Sequence, residues 1–324
     1  MKIAVVGCGA VGSYYGASLA RAGHEVHFLL RSDYEVIRHK GLSIRSPRGD
    51  FHVKPRCALA PEEIGPSDLV LIGLKTTAND QFPRLLPPLA GAATAMLLLQ
   101  NGLGNEEQLA LSFSKEQIMG GLCFVCLNRL EPGLVQHIDH GQVVIGEFQR
   151  WPEPRTHDIA SAFRHGGVPC TVTDNLTQAH WEKLTWNIPF NGLGVASAAG
   201  YEAVVSGRFS GAAPWRGDCL TTDRLLSEAK WAELVRELML EVIAAARAKG
   251  FQLESSLADK QIERTLTMGP YKASTLVDFE RRQPLELESL FLEPLRQARQ
   301  AGVATPRLAA LCGILKALDP AEHA

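Results

Sequence analysis

The chain has 324 residues, of which 46% are hydrophobic and 21% charged, which is typical of a globular protein with room for two domains. Its 33 Lys and Arg residues nearly balance 35 Asp and Glu residues, and the net charge of -2 predicts neither a nucleic acid nor an anionic membrane as partner. The apolar runs are too short to span a bilayer and the first residues lack a signal-peptide layout. We therefore expect a cytoplasmic protein that acts on a small molecule.

The first thirty residues predict a strand, a tight turn and a helix. The apolar, β-branched run Lys2–Val6 predicts a buried strand, and a helical pattern follows the turn and ends at Gly23. Between them lies a Gly-x-Gly-x-x-Gly loop, made of Gly7, Cys8, Gly9, Ala10, Val11 and Gly12. A glycine loop in this context favours a dinucleotide site, with the pyrophosphate on free N–H groups at the helix start.

Each glycine has a predicted task. Gly7 makes the turn, Gly9 lets the backbone approach a pyrophosphate, and Gly12 and Gly16 let the helix pack close to the strand.

The second predicted strand, Glu25–Leu30, leads into Arg31. In NAD-binding proteins a carboxylate near this position binds the ribose 2′-hydroxyl, whereas arginine favours a 2′-phosphate and hence NADP. Asp33 lies two residues further on, so NAD stays open as the weaker alternative.

The chain then predicts a hairpin within residues 40–57 and two buried strands separated by a helix. These three segments are Asp68–Leu74, Thr76–Leu89 and Ala95–Leu99. Alternating strands and helices predict a parallel sheet with crossovers, in which ligands bind outside the carboxyl ends of the strands. Arg31, Lys75 and Asn101 each follow an apolar strand, so we expect them to converge on that edge.

The first domain is predicted to end near residue 175. Further strands are expected at Ile118–Val125, Leu134–His137, Val143–Ile145 and Val168–Thr173. Residues 1–175 are therefore predicted to form an α/β Rossmann-type dinucleotide-binding domain for NADP.

Residues 176–324 predict an all-helical C-terminal domain. Turns are expected at 192–200, 211–217, Gly250, 269–270 and Gly302. Ser227–Lys249 is predicted as a long amphipathic helix, and Thr305 with Pro306 opens the last helix.

No metal site is predicted. The seven cysteines are scattered, which is typical of reduced thiols, and His137, His140 and His180 lack metal-ligand spacing. Cys123 and Cys126 have the spacing of a redox or zinc pair, but they lie in a predicted strand without a second pair, so we interpret them as small core side chains.

A polar row marks the start of the second domain. Lys183, Asn187 and Asn191 recur every four residues in an otherwise apolar helix, so they share one helical face. Such a row costs free energy when buried unless partners satisfy it, and a polar substrate would do so. The alternative is a row that faces solvent.

Taken together, these motifs resemble the ketopantoate reductase family, the NADPH-dependent 2-dehydropantoate 2-reductases. The resemblance rests on the glycine loop with Arg31, on Lys75, on Gln100-Asn101-Gly102-Leu103-Gly104, on Lys183, Asn187 and Asn191, on Lys272-Ala273-Ser274, and on Glu286.

The resemblance implies that residues 176–324 form the substrate and catalytic domain, and it implies a role for each of these side chains. Lys183 would be the general acid that protonates the ketone oxygen of the substrate, and Glu286 would lie beside cofactor and substrate. Arg31 and Lys75 would hold the 2′-phosphate, and Asn101 would bridge cofactor and substrate. Asn187, Asn191 and Ser274 would bind the substrate.

The chain departs from the family pattern at Tyr201, at Tyr271 and in the segment after Glu286. Three alternatives therefore stay open. They are a ketopantoate reductase, a related NADPH-dependent reductase of another 2-oxo acid, and a non-catalytic NADP-binding sensor. A homodimer is possible, because an all-helical second domain often supplies a dimer surface.

Overall fold

The structure is a computed structural model in which residues 1–209 and 218–323 are described. The chain divides into two compact units, Met1–Thr177 and Gln178–Ala324. No helix among the described residues is both long and apolar enough to cross a bilayer.

The first unit is built on one ten-stranded sheet in the order β4-β3-β9-β8-β7-β6-β1-β2-β5, with β10 paired to β9. The strands are β1 Lys2–Val6, β2 Glu25–Leu29, β3 Leu42–Arg45, β4 Phe51–Val53, β5 Arg56–Ala58, β6 Leu69–Ile72, β7 Ala95–Leu98, β8 Ile118–Glu131, β9 Leu134–Glu147 and β10 Cys170–Val172. Strands β7, β6, β1 and β2 are parallel neighbours, which confirms the predicted Rossmann-type centre.

Helices pack on both faces of this sheet. They are α1 Ala10–Arg21, α2 Tyr34–Lys40, α3 Phe82–Leu85, α4 Asn105–Leu109 and α5 Pro154–His165. Alternate residues of β1 enter different cores: Ile3 and Val5 join one cluster, and Ala4 and Val6 join the other. This is why the central strands are apolar on both faces instead of alternating.

The single helix predicted for Thr76–Leu89 is wrong. The segment forms a 3₁₀ turn at Thr76–Gln81, the short α3 and a second 3₁₀ turn at Pro87–Leu89. Pro83 is tolerated because it lies in the first turn of α3, but Pro87 and Pro88 end the helix by removing two N–H donors.

Two antiparallel hairpins extend the parallel centre of the sheet. Residues 118–147 form a long hairpin of β8 and β9, which was not predicted, and β3 and β4 form the hairpin predicted within residues 40–57. The segments predicted at Leu134–His137 and Val143–Ile145 are one strand. Three register shifts along the hairpin, and a positive φ of 62° at His140, obscure the period-two pattern in the sequence.

The second unit is helical, as predicted. The described helices are α6 Leu176–Ala196, α7 Tyr201–Ser206, α8 Thr222–Ser227, α9 Ala229–Ala248, α10 Ser256–Leu266, α11 Ser274–Glu280, α12 Glu293–Gln300 and α13 Pro306–Leu318, with a π-helical turn at Glu288–Leu292. The predicted turn at 211–217 lies outside the described residues.

The turn predicted to begin at Gly192 begins later, because Gly192 lies inside α6. A Cβ at Gly192 would lie 2.6 Å from Leu311 Cδ2 and 2.9 Å from Phe291 Cε1, so this glycine permits close packing of neighbouring segments. The chain turns instead at Gly200, where φ is 88°.

A buried histidine ties the β3–β4 loop to β9. The Nε2 atom of His137 lies 3.1 Å from the carbonyl oxygen of Asp139, and Nδ1 lies 2.9 Å from Ser46 Oγ. A carbonyl only accepts, so Nε2 donates to it and Nδ1 accepts from the serine hydroxyl. Both nitrogens of the neutral ring are thus satisfied, and burial lowers the pKa of His137 below its ordinary value.

We expect this histidine to make stability fall in mild acid. The unfolded chain takes up a proton at His137 more readily than the folded chain, so folding loses stability as the pH falls below the ordinary histidine pKa. The His137→Gln variant lacks this proton uptake. In urea titrations between about pH 8 and about pH 5, its deficit relative to the wild type should shrink as the pH falls. A constant deficit for His137→Gln would contradict the prediction.

Candidate functional site

The glycine loop forms the tight turn that its spacing predicts. Gly7 has a φ of 91°, and a Cβ there would collide with the backbone of Gly73 and Leu74. A Cβ at Gly12 would collide with the carbonyl oxygen of Gly7, and one at Gly16 would lie 2.7 Å from Phe28 Cζ. These contacts confirm the turn and packing roles, because only glycine allows the backbone to come this close.

Gly9 differs from the other loop glycines because space lies beside it. A Cβ at Gly9 would meet no atom within 4 Å, although the residue caps α1 and is exposed. The first turn of α1, which the structure describes in full, carries no acidic side chain and receives no side-chain cap. Open N–H groups at the positive end of a helix fit an anionic group such as a diphosphate.

The side chain of Cys8 points away from that space. Its Sγ lies 3.3 Å from the carbonyl oxygen of Leu29 and 3.5 Å from that of Val5, and burial raises the pKa of the thiol. Cys8 is therefore a protonated structural thiol, and the loop offers an anion only its backbone at this residue.

Arg31, Lys75 and Asn101 converge on one edge of the sheet, as predicted. They follow β2, β6 and β7, which with β1 are adjacent parallel strands, so their carboxyl ends point the same way. Arg31 and Lys75 are exposed and Asn101 is partly exposed. The two cationic side chains lie on either side of the loop that follows β1, where they can meet a phosphorylated ligand.

A buried amide network that sequence reasoning missed supports this edge. The Nε2 atom of Gln100 donates to the carbonyl oxygen of Leu74 at 3.0 Å and to Asn79 Oδ1 at 2.7 Å. Asn79 donates in turn to Asn105 Oδ1, and Asn105 donates to the carbonyl oxygen of Asn101 at 3.1 Å. The loops after β6 and β7 are thus fixed to each other. The only sequence signal was the clustering of short amides after strand ends.

The polar row of the second unit is buried, so the solvent-facing alternative is wrong. Lys183, Asn187 and Asn191 are 9%, 5% and 3% exposed. All three lie on α6, which continues through Pro189. A buried ammonium and two amides in one row require polar partners.

Asn191 joins α6 to the start of α11. Its Oδ1 accepts three hydrogen bonds, from Ser274 Oγ at 3.1 Å, from Thr275 N at 3.1 Å and from Thr275 Oγ1 at 3.0 Å. Its Nδ2 points to Asn187 Oδ1 at 3.5 Å. The oxygen of Asn191 is therefore occupied by the protein itself, and the residue places Ser274 beside the row.

Glu286 and the two tyrosines that depart from the family pattern have different surroundings. Glu286 is 6% exposed and precedes the π-helical turn. The ring of Tyr271 lies 6.4 Å from that of Trp186, the residue before Asn187. Tyr201 instead packs edge-on against Trp231 at 5.0 Å.

The described residues contain no group of three or more His, Cys, Asp or Glu side chains placed to hold a metal ion. Cys123 and Cys126 are not joined in a disulfide; the first is partly buried and the second is buried.

Comparison with known proteins decides the family. The model of the ketopantoate reductase PanE/ApbA family matches residues 3–150, and the model of its C-terminal region matches residues 217–319. The chain belongs to the ketopantoate reductase family. A 2-dehydropantoate 2-reductase from Nostoc sp. is 37% identical, with 98% of this chain and 95% of the relative covered.

Solved structures agree with this family membership. The crystal structure of 2-dehydropantoate 2-reductase from Geobacter metallireducens superposes with a TM-score of 0.89 at 43% identity and covers 98% of this chain and 99% of its own. The enzyme from Methylococcus capsulatus gives 0.85 at 33% identity, covering 98% of this chain and 96% of its own. D-Mandelate dehydrogenase with NADH and anilino(oxo)acetate shares the fold at 20% identity, with a TM-score of 0.83 and 98% of both chains covered.

The space beside Gly9 yields a prediction that separates folding from cofactor binding. Gly9→Ala should leave the unfolding free energy within about 0.5 kcal/mol of the wild type, because the backbone there is extended and the Cβ meets no atom. It should raise the Kd for NADPH by about tenfold or more if the diphosphate binds at this loop, because the methyl group would fill the space beside Gly9. Urea unfolding and fluorescence titration measure the two quantities.

Gly12→Ala is the matched comparison, because its Cβ collides with Gly7 and should destabilise the unit by about 2 kcal/mol or more. Unchanged NADPH affinity in folded Gly9→Ala would exclude a diphosphate at this loop.

The row on α6 yields a second prediction. Asn191→Ala leaves the donors of Ser274 and Thr275 without their acceptor and should lower the unfolding free energy by about 2–4 kcal/mol. Asn187→Ala, on the same helix face, should cost about 1 kcal/mol, because its oxygen receives one long hydrogen bond. Urea unfolding curves with equal slopes measure the free-energy loss of each variant. Equal losses in the two variants would contradict a stabilising role for the hydrogen bonds between Asn191 and the start of α11.

Proposed function

We propose that this protein catalyses the NADPH-dependent reduction of 2-dehydropantoate to pantoate. One observation carries the proposal: a chain that matches ketopantoate reductases over 98% of its length also buries a lysine and two asparagines in one row. A buried ammonium beside amides suits a reaction in which a ketone oxygen becomes an alkoxide.

In this proposal the first unit binds the cofactor. The backbone N–H groups of the Gly7–Gly12 loop hold the diphosphate, and Arg31 and Lys75 bind the 2′-phosphate. The open space at Gly9 and the two exposed cations fit such a group. When bound, NADPH supplies the hydride. By family likeness, Asn101 would lie beside it.

Lys183 acts as the general acid. As the substrate's second carbon gains the hydride, its ketone oxygen gains negative charge and accepts the proton from Lys183 Nζ. The product is a 2-hydroxy acid, and the amine regains its proton from water. Burial of Lys183 strengthens its attraction to the developing alkoxide, because little water screens the pair.

The neighbouring polar side chains orient the substrate. Asn187 binds its polar groups, and Ser274 binds its carboxylate. The proposed part of Asn191 is to contribute its amide nitrogen and to hold Ser274 in place, since its oxygen already accepts three hydrogen bonds. Glu286 completes the proposed site.

One observation favours a second substrate class. Tyr271 lies three residues before Ser274 and close to Trp186, which also contacts Phe190 at 5.0 Å between ring centres. Aromatic surface near the proposed carboxylate site suits a 2-oxo acid with a larger branched or aromatic side chain.

A location in the cytoplasm and a homodimer are further parts of the proposal.

Turnover measurements test the function. We expect NADPH oxidation with 2-dehydropantoate, and we expect Lys183→Ala to lower kcat by about 100-fold or more, because general acid catalysis contributes on this scale. NADPH affinity should stay within about threefold, since the lysine acts on the ketone. The exposed Lys249→Ala should match the wild type.

The other outcomes discriminate between the alternatives. Turnover confined to bulkier 2-oxo acids would support the second substrate class. NADPH binding without turnover of any 2-oxo acid would show a sensor, and normal kcat in Lys183→Ala would remove this lysine from the mechanism.

A further inference from the structure

The carboxylate of Asp33 lies close to the proposed 2′-phosphate site. Arg31 and Ser32 are exposed where the chain leaves β2, whereas Asp33 is 6% exposed and precedes α2. A free carboxylate near the end of the second strand is the group that binds the ribose hydroxyls of NAD and repels a 2′-phosphate. Asp33 by itself would therefore favour the wrong cofactor for the proposed function.

Arg129 pairs with this carboxylate. Its Nη2 donates to Asp33 Oδ1, and Ser32 Oγ donates to the same oxygen at 2.9 Å. The two ionic partners are 96 residues apart in the chain. Asp33 is thus neutralised inside the first unit.

The long hairpin brings Arg129 to this place. Strand β8 starts parallel to β7 and then continues past the carboxyl ends of the parallel strands. The hairpin turn packs on α2, since a Cβ at Gly133 would lie 3.3 Å from Val36 Cγ1. The second half of β8 therefore passes the N-terminal end of α2, where Asp33 lies.

The geometry of the pair differs from that of a purely structural ion pair. In Arg155, both Nε and Nη2 donate to the buried Glu147 carboxylate, as in a bidentate bridge. In Arg129, one nitrogen donates to Asp33, while Nε is buried without a hydrogen-bond partner among the described residues. Arg129 therefore compensates the charge of Asp33 without forming the two hydrogen bonds of a bidentate bridge.

We propose that Arg129 is a positioning residue that sets the cofactor preference of this protein by neutralising Asp33. With Asp33 paired, the cations Arg31 and Lys75 face a 2′-phosphate without an opposing free carboxylate. The paired oxygen of Asp33 already accepts two hydrogen bonds, so it does not bind the ribose hydroxyls of NADH. The inference rests on the proposed use of NADPH and adds two residues, Arg129 and Asp33, that select it.

A double-mutant cycle tests this inference by Kd, measured for NADPH and NADH by cofactor fluorescence. Arg129→Met should weaken NADPH about tenfold or more and leave NADH binding unchanged or tighter, because the freed carboxylate repels only the extra phosphate and can accept a hydrogen bond from the ribose hydroxyl. Asp33→Asn should bind NADPH at least as tightly as the wild type. The double variant should recover NADPH affinity to within about threefold of the wild type, because it lacks the unpaired carboxylate that repels the 2′-phosphate.

The Arg155→Met variant is the matched control. It breaks an arginine–carboxylate pair of the same unit near the start of β8, since Glu147 pairs with Met119, whereas Arg129 lies near the end of that strand. Its ratio of NADPH to NADH affinity should equal that of the wild type. Thermal unfolding of each variant checks that the fraction titrated is folded.

Several outcomes overturn the inference. Equal weakening of both cofactors by Arg129→Met would show a general structural role. Failure of the double variant to recover would show that Arg129 acts on NADPH independently of Asp33. A wild type that binds no NADPH would overturn both this inference and the proposed function, whereas a wild type that binds NADPH but reduces no 2-oxo acid would overturn only the latter.

Discussion

The backbone of the first turn comes so close to neighbouring backbone that side chains are excluded. The proposed cofactor edge, where Arg31, Lys75 and Asn101 follow parallel strands, depends on this approach. Gly12 lies against the carbonyl oxygen of Gly7, and Gly7 lies against the backbone of Gly73 and Leu74 after β6. The start of α1 is therefore held directly beside the ends of two parallel strands. This places open helix N–H groups between Arg31 and Lys75.

The second unit buries the polar row of Lys183, Asn187 and Asn191, and burial of polar side chains costs stability unless partners satisfy them. The oxygen of Asn191 is satisfied by three donors at the start of α11, so part of the cost is offset inside the protein. In the proposed mechanism, Lys183 and Asn187 present their polar atoms to the substrate. The same row then serves folding at one end and chemistry at the other.

The charge at the proposed cofactor edge depends on a long-range ion pair. Three cationic side chains, Arg31, Lys75 and Arg129, belong to the first unit near its carboxyl edge, and Asp33 is committed to one of them. A phosphate monoester carries nearly two negative charges at neutral pH, which suits the two exposed cations Arg31 and Lys75. The buried amides around Asn79 then keep the loops after β6 and β7 from shifting under this charge.

The sequence alone determined what depends on near neighbours. The strand, glycine turn and helix at the start of the chain, the edge shared by Arg31, Lys75 and Asn101, and the helical second half follow from local conformational preference and hydrophobic period. Tandem prolines after Leu86 and the bulged hairpin misled the same reasoning, because steric breaks and register shifts are weakly visible in such patterns.

Only the tertiary structure decided which side chains neutralise one another. Asp33 pairs with Arg129, and Asn191 accepts hydrogen bonds from Ser274 and Thr275. In each case the partners lie more than eighty positions apart in the chain. Local conformational preferences do not predict such pairs. They form only where the folded chain brings distant polar groups together away from water.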